Sequence, residues 1–379
     1  MRHVRIVVLL SAVLLLAASC GGPEPGERQA QEAEDLEEVR AGWVSAIDQI
    51  GLPAALDLGY FEEHGLSVEL AQPFPTGVDA LNALQAGEVE FVQVGTPTIG
   101  AILEGMDLVY LGNYTGSSTQ LGIDETMALV AAPDSGIDAD DLSTLEAKRI
   151  GVSIGSINHL YMLGVLRDVG LQPDDVRFVN TDPPDIPVAI RTGGLDAAAI
   201  WDPWPIITTL QVEGAEEIIR GGGHLPFIGY IVTTREYAEQ NPDVVEGFLA
   251  ARAQADHWMR QNPDDAAEVA VRWVPGTEQQ VAEAAMQYNI EQLDPRFSAC
   301  NYLALYVDQQ LLLEVGAIED TFDVNEHFLP GHILAVMEEF AQYFEDLTPI
   351  PEDAQISEDY RFDPQEAQAA CPGSEDFPV

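Results

Sequence analysis

The chain has 379 residues, 46% of them apolar, enough for two domains or for one domain of two lobes, and too apolar for global disorder. Its 64 acidic residues face 16 basic ones, a net charge of -48, and Lys148 is its single lysine. Such a field excludes nucleic acid and anionic membrane surfaces as direct electrostatic partners. A carboxylate coat stays hydrated in high salt, so the acidity reads as adaptation to a saline exterior.

Arg2 and Arg5 precede an apolar run from Ile6 to Leu16 that is too short to remain as a spanning helix. "LAASC" follows, with small residues leading to Cys20, as in a bacterial lipobox. Residues 1–19 are therefore expected to be a lipoprotein signal peptide. Cys20 would be lipidated and would anchor the protein to the outer face of the cell membrane, extracytoplasmic and without a span. Ala17 stands where Leu is more usual, so a plain secretory signal is the alternative. Residues 20–37 are polar, charged and free of aromatics, and read as an acidic tether.

From Val39 strands and helices alternate. "VRAGWVSAI" reads as strand, "LPAALDLGYFEEHG" as one helix stopped at Gly65, and "LSVELAQ" as strand. "TGVDALNALQAG" is helical, "EVEFVQVGT" a strand, "PTIGAILEG" a helix from Pro97, and "DLVYLGNYTG" a strand. The rhythm restarts with "RIGVSIGS", "NHLYMLGVLRDVG", "DVRFVNTD", "DIPVAIRTGG" and "LDAAAIWDP". This predicts an α/β fold of two lobes, each a mostly parallel sheet flanked by helices. From Thr234 the chain is mainly helical, with caps expected at Asn241 and Asn262, and the last twenty residues read as a loose acidic tail. Cys300 and Cys371 are the cysteines left after Cys20, and an oxidising compartment predicts that they form one disulfide.

"ALDLGYFEEHGLSVELAQPFPTGVDALNALQAGEVEFVQVGTP" resembles the first lobe of periplasmic solute-binding proteins of the nitrate, sulfonate and taurine type, whose thiamine-precursor binding relatives share the pattern. "LEAKRIGVSIGSINHLYMLGVLRDVGLQPDDVRFVNTDPPDIPVAIRTGGLDAAAIWDPW" resembles their second lobe, and "FIGYIVTTREYAEQNPDVVEGFLAA" the return to lobe one. The likeness runs from about Val39 to about Pro330. It implies a type II periplasmic-binding-protein fold with two inter-lobe crossings, near Met127 to Ala132 and near Phe227 to Thr233. Lobe one would span 38–130 and 231–340, lobe two 131–230, with an acidic C-terminal extension over 341–379. The implied role is capture of a small sulfonate, taurine or nitrate-like solute by hinge closure, for an ABC importer with permease and ATPase subunits. A thiamine-precursor pyrimidine or another small heterocycle is the alternative solute. The chain is expected to act as a monomer, without a cofactor.

In open α/β sheets ligands bind beyond the carboxyl ends of the strands. That rule selects Asp48 and Gln49 after the first strand and Gly95 and Thr96 after the third. In lobe two it selects the stretch from Ser153 to His159, then Asp182, then Trp201 and Asp202. Thr96 and Ser156 each stand before a helix, where a hydroxyl and free N–H groups suit a negatively charged oxygen. His159 sits one turn into its helix. Trp201 offers a flat apolar face with a polar N–H, and Asp202 could accept from an ammonium. The predicted ligand residues are Gln49, Thr96, Ser156, His159, Asp182, Trp201 and Asp202; Trp204 would close the entrance.

Catalysis has little support. GxSxG, P-loop and HExxH motifs are absent, and neither Cys300 nor Cys371 sits beside a histidine. A pyrimidine-precursor synthase-like enzyme and a scaffold lipoprotein remain as rivals. In "EHFLPGH" two histidines five apart flank a proline, poor spacing for one metal ion.

Overall fold

A computed structural model describes residues 36–375 and 377–379. The expected signal peptide and Cys20 lie outside the described residues, as does most of the expected tether. From Glu37 to Val379 the chain is one compact unit built on two five-stranded sheets.

The first sheet holds β1 (Glu37–Gly42), β2 (Leu66–Leu70), β3 (Phe91–Val94), β4 (Leu108–Thr115) and β10 (Gly229–Thr234), in the order β2-β1-β3-β10-β4. The second holds β5 (Met127–Ala131), β6 (Arg149–Val152), β7 (Arg177–Asn180), β8 (Ala197–Trp201) and β9 (Glu216–Arg220), in the order β7-β6-β8-β5-β9. Each sheet is parallel except for one strand. β10 runs antiparallel between β3 and β4, and β5 antiparallel between β8 and β9. Both exceptions are the first strand laid down after the chain changes sheets. The changes fall in residues 116–126 and 221–228, so the stretches Met127 to Ala132 and Phe227 to Thr233 are mainly strand.

Burial follows from this order. Every residue of the inner strands β3, β5 and β8 is buried, as strands covered by helices on both faces require. The edge strand β4 is buried too, because the segment around Phe328 bonds to its outer edge. The exposed positions fall on the edge strands β2, β7 and β9 and on the start of β1. In β8 the run Ala197, Ala198, Ala199 leaves room for helices to approach closely, and Asn158 reaches across to donate to the Ala199 carbonyl at 3.0 Å.

Three expectations change at the level of local structure. The stretch 52–65 forms two helices, Gly51–Asp57 and Tyr60–Glu63, because Gly59 turns the chain in the left-handed region at φ 76°. Asn241 and Asn262 stand at helix starts but make no N-cap bond. Their amides donate backwards, to the Tyr237 and Trp258 carbonyls of the preceding helices. The last twenty residues are not loose. The helix Pro364–Ala370 packs on the helix Ala299–Glu314, Tyr302 stacks near Phe362, and Cys371 is bonded to Cys300 with a Cα separation of 5.5 Å. Beyond it, the Pro372 carbonyl accepts from Leu121 N–H at 2.8 Å, so the tail grips the first crossing.

Candidate functional site

The loop after β1 is held by an amide. Gln49 Oε1 accepts from Val44 N–H at 2.9 Å and from Gln93 at 3.3 Å, while Gln49 Nε2 donates to the Gln93 carbonyl. Beneath lies Arg252, fully buried, donating to Gln93 Oε1 and to the Tyr114 carbonyl, and paired with Asp256. A side chain on Gly51 would collide with that guanidinium, so the glycine is a packing requirement.

This rigid loop meets the end of β8. The Trp201 and Trp204 indoles both donate to the Ser45 carbonyl, at 3.3 and 3.1 Å. Ile47 N–H donates to the Asp202 carbonyl at 3.1 Å. Three hydrogen bonds thus join lobe two to lobe one at one point. Trp204 heads the helix Trp204–Gln211 and is buried at this junction.

Beside the junction is a small cavity walled by both lobes. Lobe one contributes Val44, Asp48, Gln49 and Tyr114 to its wall, lobe two contributes Ser156 and Trp201, and the second crossing contributes Phe227. Tyr114 can occupy its place because Gly229 has no side chain; a Cβ there would strike the ring. Ser156 stands at the start of the helix Ile157–Asp168, and its hydroxyl makes no cap bond. It therefore presents a hydroxyl at the positive end of a twelve-residue helix.

The predicted residues divide into two groups. Gln49, Ser156 and Trp201 reach the cavity wall, although both ends of the Gln49 amide are already engaged by the protein. Thr96, His159, Asp182 and Asp202 do not line it. Thr96 is buried beside Gly95 and Pro97, which do, and its Oγ1 finds no partner among the described residues. His159 turns back, accepting from Gly155 N–H at 3.4 Å with its edge against Phe178, and burial lowers its pKa. Asp182 stands before a single 3-10 turn, Pro183–Asp185; desolvation, then Asp79 and Asp185, raise its pKa.

The Asp202 carboxylate points away from the cavity. Asp202 follows Trp201 directly, and successive side chains of an extended chain point to opposite sides. Trp201 takes the cavity side, and the Asp202 carboxylate goes to Arg220 at 2.9 Å and Asn289 at 3.3 Å. Burial pushes it up to about 7 against the pull of Arg220.

Asp48 is the acid that the cavity does expose. It is 5% accessible, and burial, then the charge of Asp202, push it up to about 7. Among the described residues no group of three or more His, Cys, Asp or Glu side chains could hold a metal ion. His327 bonds the Leu108 carbonyl and His332 meets Glu246, so the two do not share an ion.

Two α/β lobes meeting around a cavity that both of them line define a bilobed solute-binding protein. Residues 46–266 match the family model described as NMT1/THI5 like, and the chain belongs to that family of periplasmic binding proteins. A Bacillus subtilis (strain 168) protein, provisionally named an aliphatic sulfonates-binding protein, is 28% identical over 269 residues, 69% of this chain and 76% of its own length. The taurine-binding periplasmic protein of Escherichia coli (strain K12) is 26% identical over 219 residues, 56% of this chain and 63% of its own. The alkanesulfonate-binding protein SsuA from Xanthomonas axonopodis pv. citri, solved bound to MOPS, has the same fold. Its TM-score is 0.69 at 23% identity, covering 78% of this chain and 98% of that one. The chain is an extracytoplasmic solute-capture protein of an ABC importer, working with permease and ATPase subunits.

Proposed function

We propose that the chain captures a small sulfonate, taurine or nitrate-like solute in the cavity between the lobes and closes on it by hinge motion at residues 116–126 and 221–228. The observation that carries this reading is the junction at Ser45. Two indoles from lobe two converge on a single lobe-one carbonyl beside a cavity that both lobes wall, so the cavity and the contact form and break together. A ligand that binds the shut form better than the open one shifts the lobes toward closure. Lobe one then runs from β1 to the first crossing and from β10 to about residue 340, and lobe two from β5 to the second crossing, a few residues away from the expected bounds of 130/131 and 230/231. Cys20 carries the lipid that holds the protein at the outer face of the membrane. The relatives' names supply the sulfonate and taurine classes.

A small heterocycle is the second reading, favoured by three aromatic rings, Tyr114, Trp201 and Phe227, on one small wall. Thermal melting against a panel of sulfonates, nitrate and pyrimidines separates the two. A solute at a hundred times its Kd stabilises the folded state by about 2.7 kcal/mol. Silence across the panel would contradict both readings.

A further inference from the structure

We infer that the cavity selects solutes carrying a protonated amine, and that Asp48 is the acceptor of that cation. This rests on the solute-capture reading and narrows it.

The first observation is that Asp48 lacks a partner. Its side chain is 95% buried and lines the cavity, yet the hydrogen bond its carboxylate accepts comes from its own backbone N–H. Arg252 is within charge range, but its guanidinium is committed to Asp256, Gln93 and the Tyr114 carbonyl. A buried carboxylate without a counter-charge is costly, and the cost is removed by any ligand that brings one.

The second observation is the composition of the wall. It contains no Lys, Arg or His. Ser156 at its helix start is the feature suited to an anionic oxygen, and it lines the same cavity as Asp48, from the other lobe. A solute with an ammonium at one end and an acid group at the other satisfies both poles. A simple anion would meet Asp48 with nothing to offset it.

The third observation lies outside the wall. Asp79 of lobe one and Asp185 of lobe two each lie within charge range of Asp182, which favours entry of a cation. No three metal-ligating side chains converge among the described residues, so an organic ammonium fits better than a metal ion.

A rival role for Asp48 is that of a protonated donor to an anion. The variant Asp48→Asn separates the two, because an amide can still donate to an anion but cannot neutralise an ammonium. Titration calorimetry of the full chain at pH 8 would use matched pairs, taurine against isethionate and β-alanine against 3-hydroxypropionate. The amine member should bind at least tenfold more tightly, and Asp48→Asn should weaken it at least tenfold and abolish the preference. A melting curve of the empty variant, no lower than the parent at pH 8, shows that the loss is not unfolding. Equal binding of the hydroxyl members, or unchanged amine binding by Asp48→Asn, overturns the inference and leaves solute capture standing. Failure of every amine overturns it as well. If the sulfonates, nitrate and pyrimidines are then also silent, solute capture falls with it.

Discussion

The indole N–H of Trp204 and the carbonyl oxygen of Ser45 lie 3.1 Å apart across the gap between the two lobes. Trp201 donates to the same oxygen at 3.3 Å, so one carbonyl uses both lone pairs to hold the second lobe. The two donors substitute for each other, which makes the junction tolerant of losing either.

Trp201→Phe and Trp204→Phe should therefore each cost a few tenths of a kcal/mol, and the double variant about 1–3 kcal/mol, because only the double leaves the buried carbonyl unpaired. Chemical denaturation of the four proteins gives the coupling directly. Additive losses would show that the indoles act independently. Alanine at Trp201 is a poorer probe: with the ring buried, its loss removes core as well as contact.

Asp48 fixes a pH dependence. Its folded-state pKa of about 7 lies above the unfolded value of 3.8, so the native chain binds the extra proton between them. The associated stability is complete below about pH 4 and is lost as pH rises toward 7. The charge of Asp202 raises Asp48 further, and Asp202 itself shifts in the same direction, while Arg252 pulls Asp48 back. The empty Asp48→Asn variant, which is permanently neutral there, should match the parent at pH 4 and exceed it by on the order of 1–3 kcal/mol at pH 8. A constant difference across the range would place the charge effect elsewhere.

Solute binding by the parent should show the opposite trend if Asp48 accepts an ammonium. Affinity for taurine should rise between about pH 5.5 and 8 as the carboxylate ionises, with proton release visible as a buffer-dependent heat. Affinity that falls over that range identifies a protonated donor instead.

Gly51→Ala tests the floor of the site. The added methyl meets the Arg252 guanidinium, which must move away from Asp256 or Gln93. Breaking a buried pair costs about 3–5 kcal/mol, so this one-carbon change should behave as a severe core defect in denaturation.

Removing both Cys300 and Cys371 by serine substitution opens a link across 71 residues. Chain entropy assigns roughly 4 kcal/mol to a loop of that size. Because Pro372 also holds Leu121 in the first crossing, the variant should exchange the Leu121 amide faster than the parent. Unaltered exchange would mean that the tail does not restrain the crossing.

The alternation of strand and helix was legible because buried parallel strands and short helices leave strong periodic patterns, as in "LDAAAI" and "NHLYMLGVL". Trp201 was legible for the same reason, standing where such a strand must end. Its neighbour Asp202 was misread because its partner Arg220 lies on β9, two strands away in the sheet and eighteen residues on. Nothing local in "IWDPW" announces that pairing. The Gln49 amide is spent on Val44 and Gln93, contacts that exist only once β3 lies beside β1. The Asp48 carboxylate beside it stays free. Tyr114 and Phe227 enter the wall from the two ends of crossings whose path is set by the whole fold. The tail was read as loose from its acidity, but the disulfide and the aromatic contacts of Phe362 hold it down.

Small-angle scattering of the full chain, empty and with each member of a solute panel at saturation, measures lobe closure itself. At least one solute should shrink the radius of gyration and shift the indole emission together, as Trp201 and Trp204 settle against Ser45. A single unvarying scattering curve, obtained with a solute that calorimetry shows to be bound, would contradict capture by closure of the two lobes.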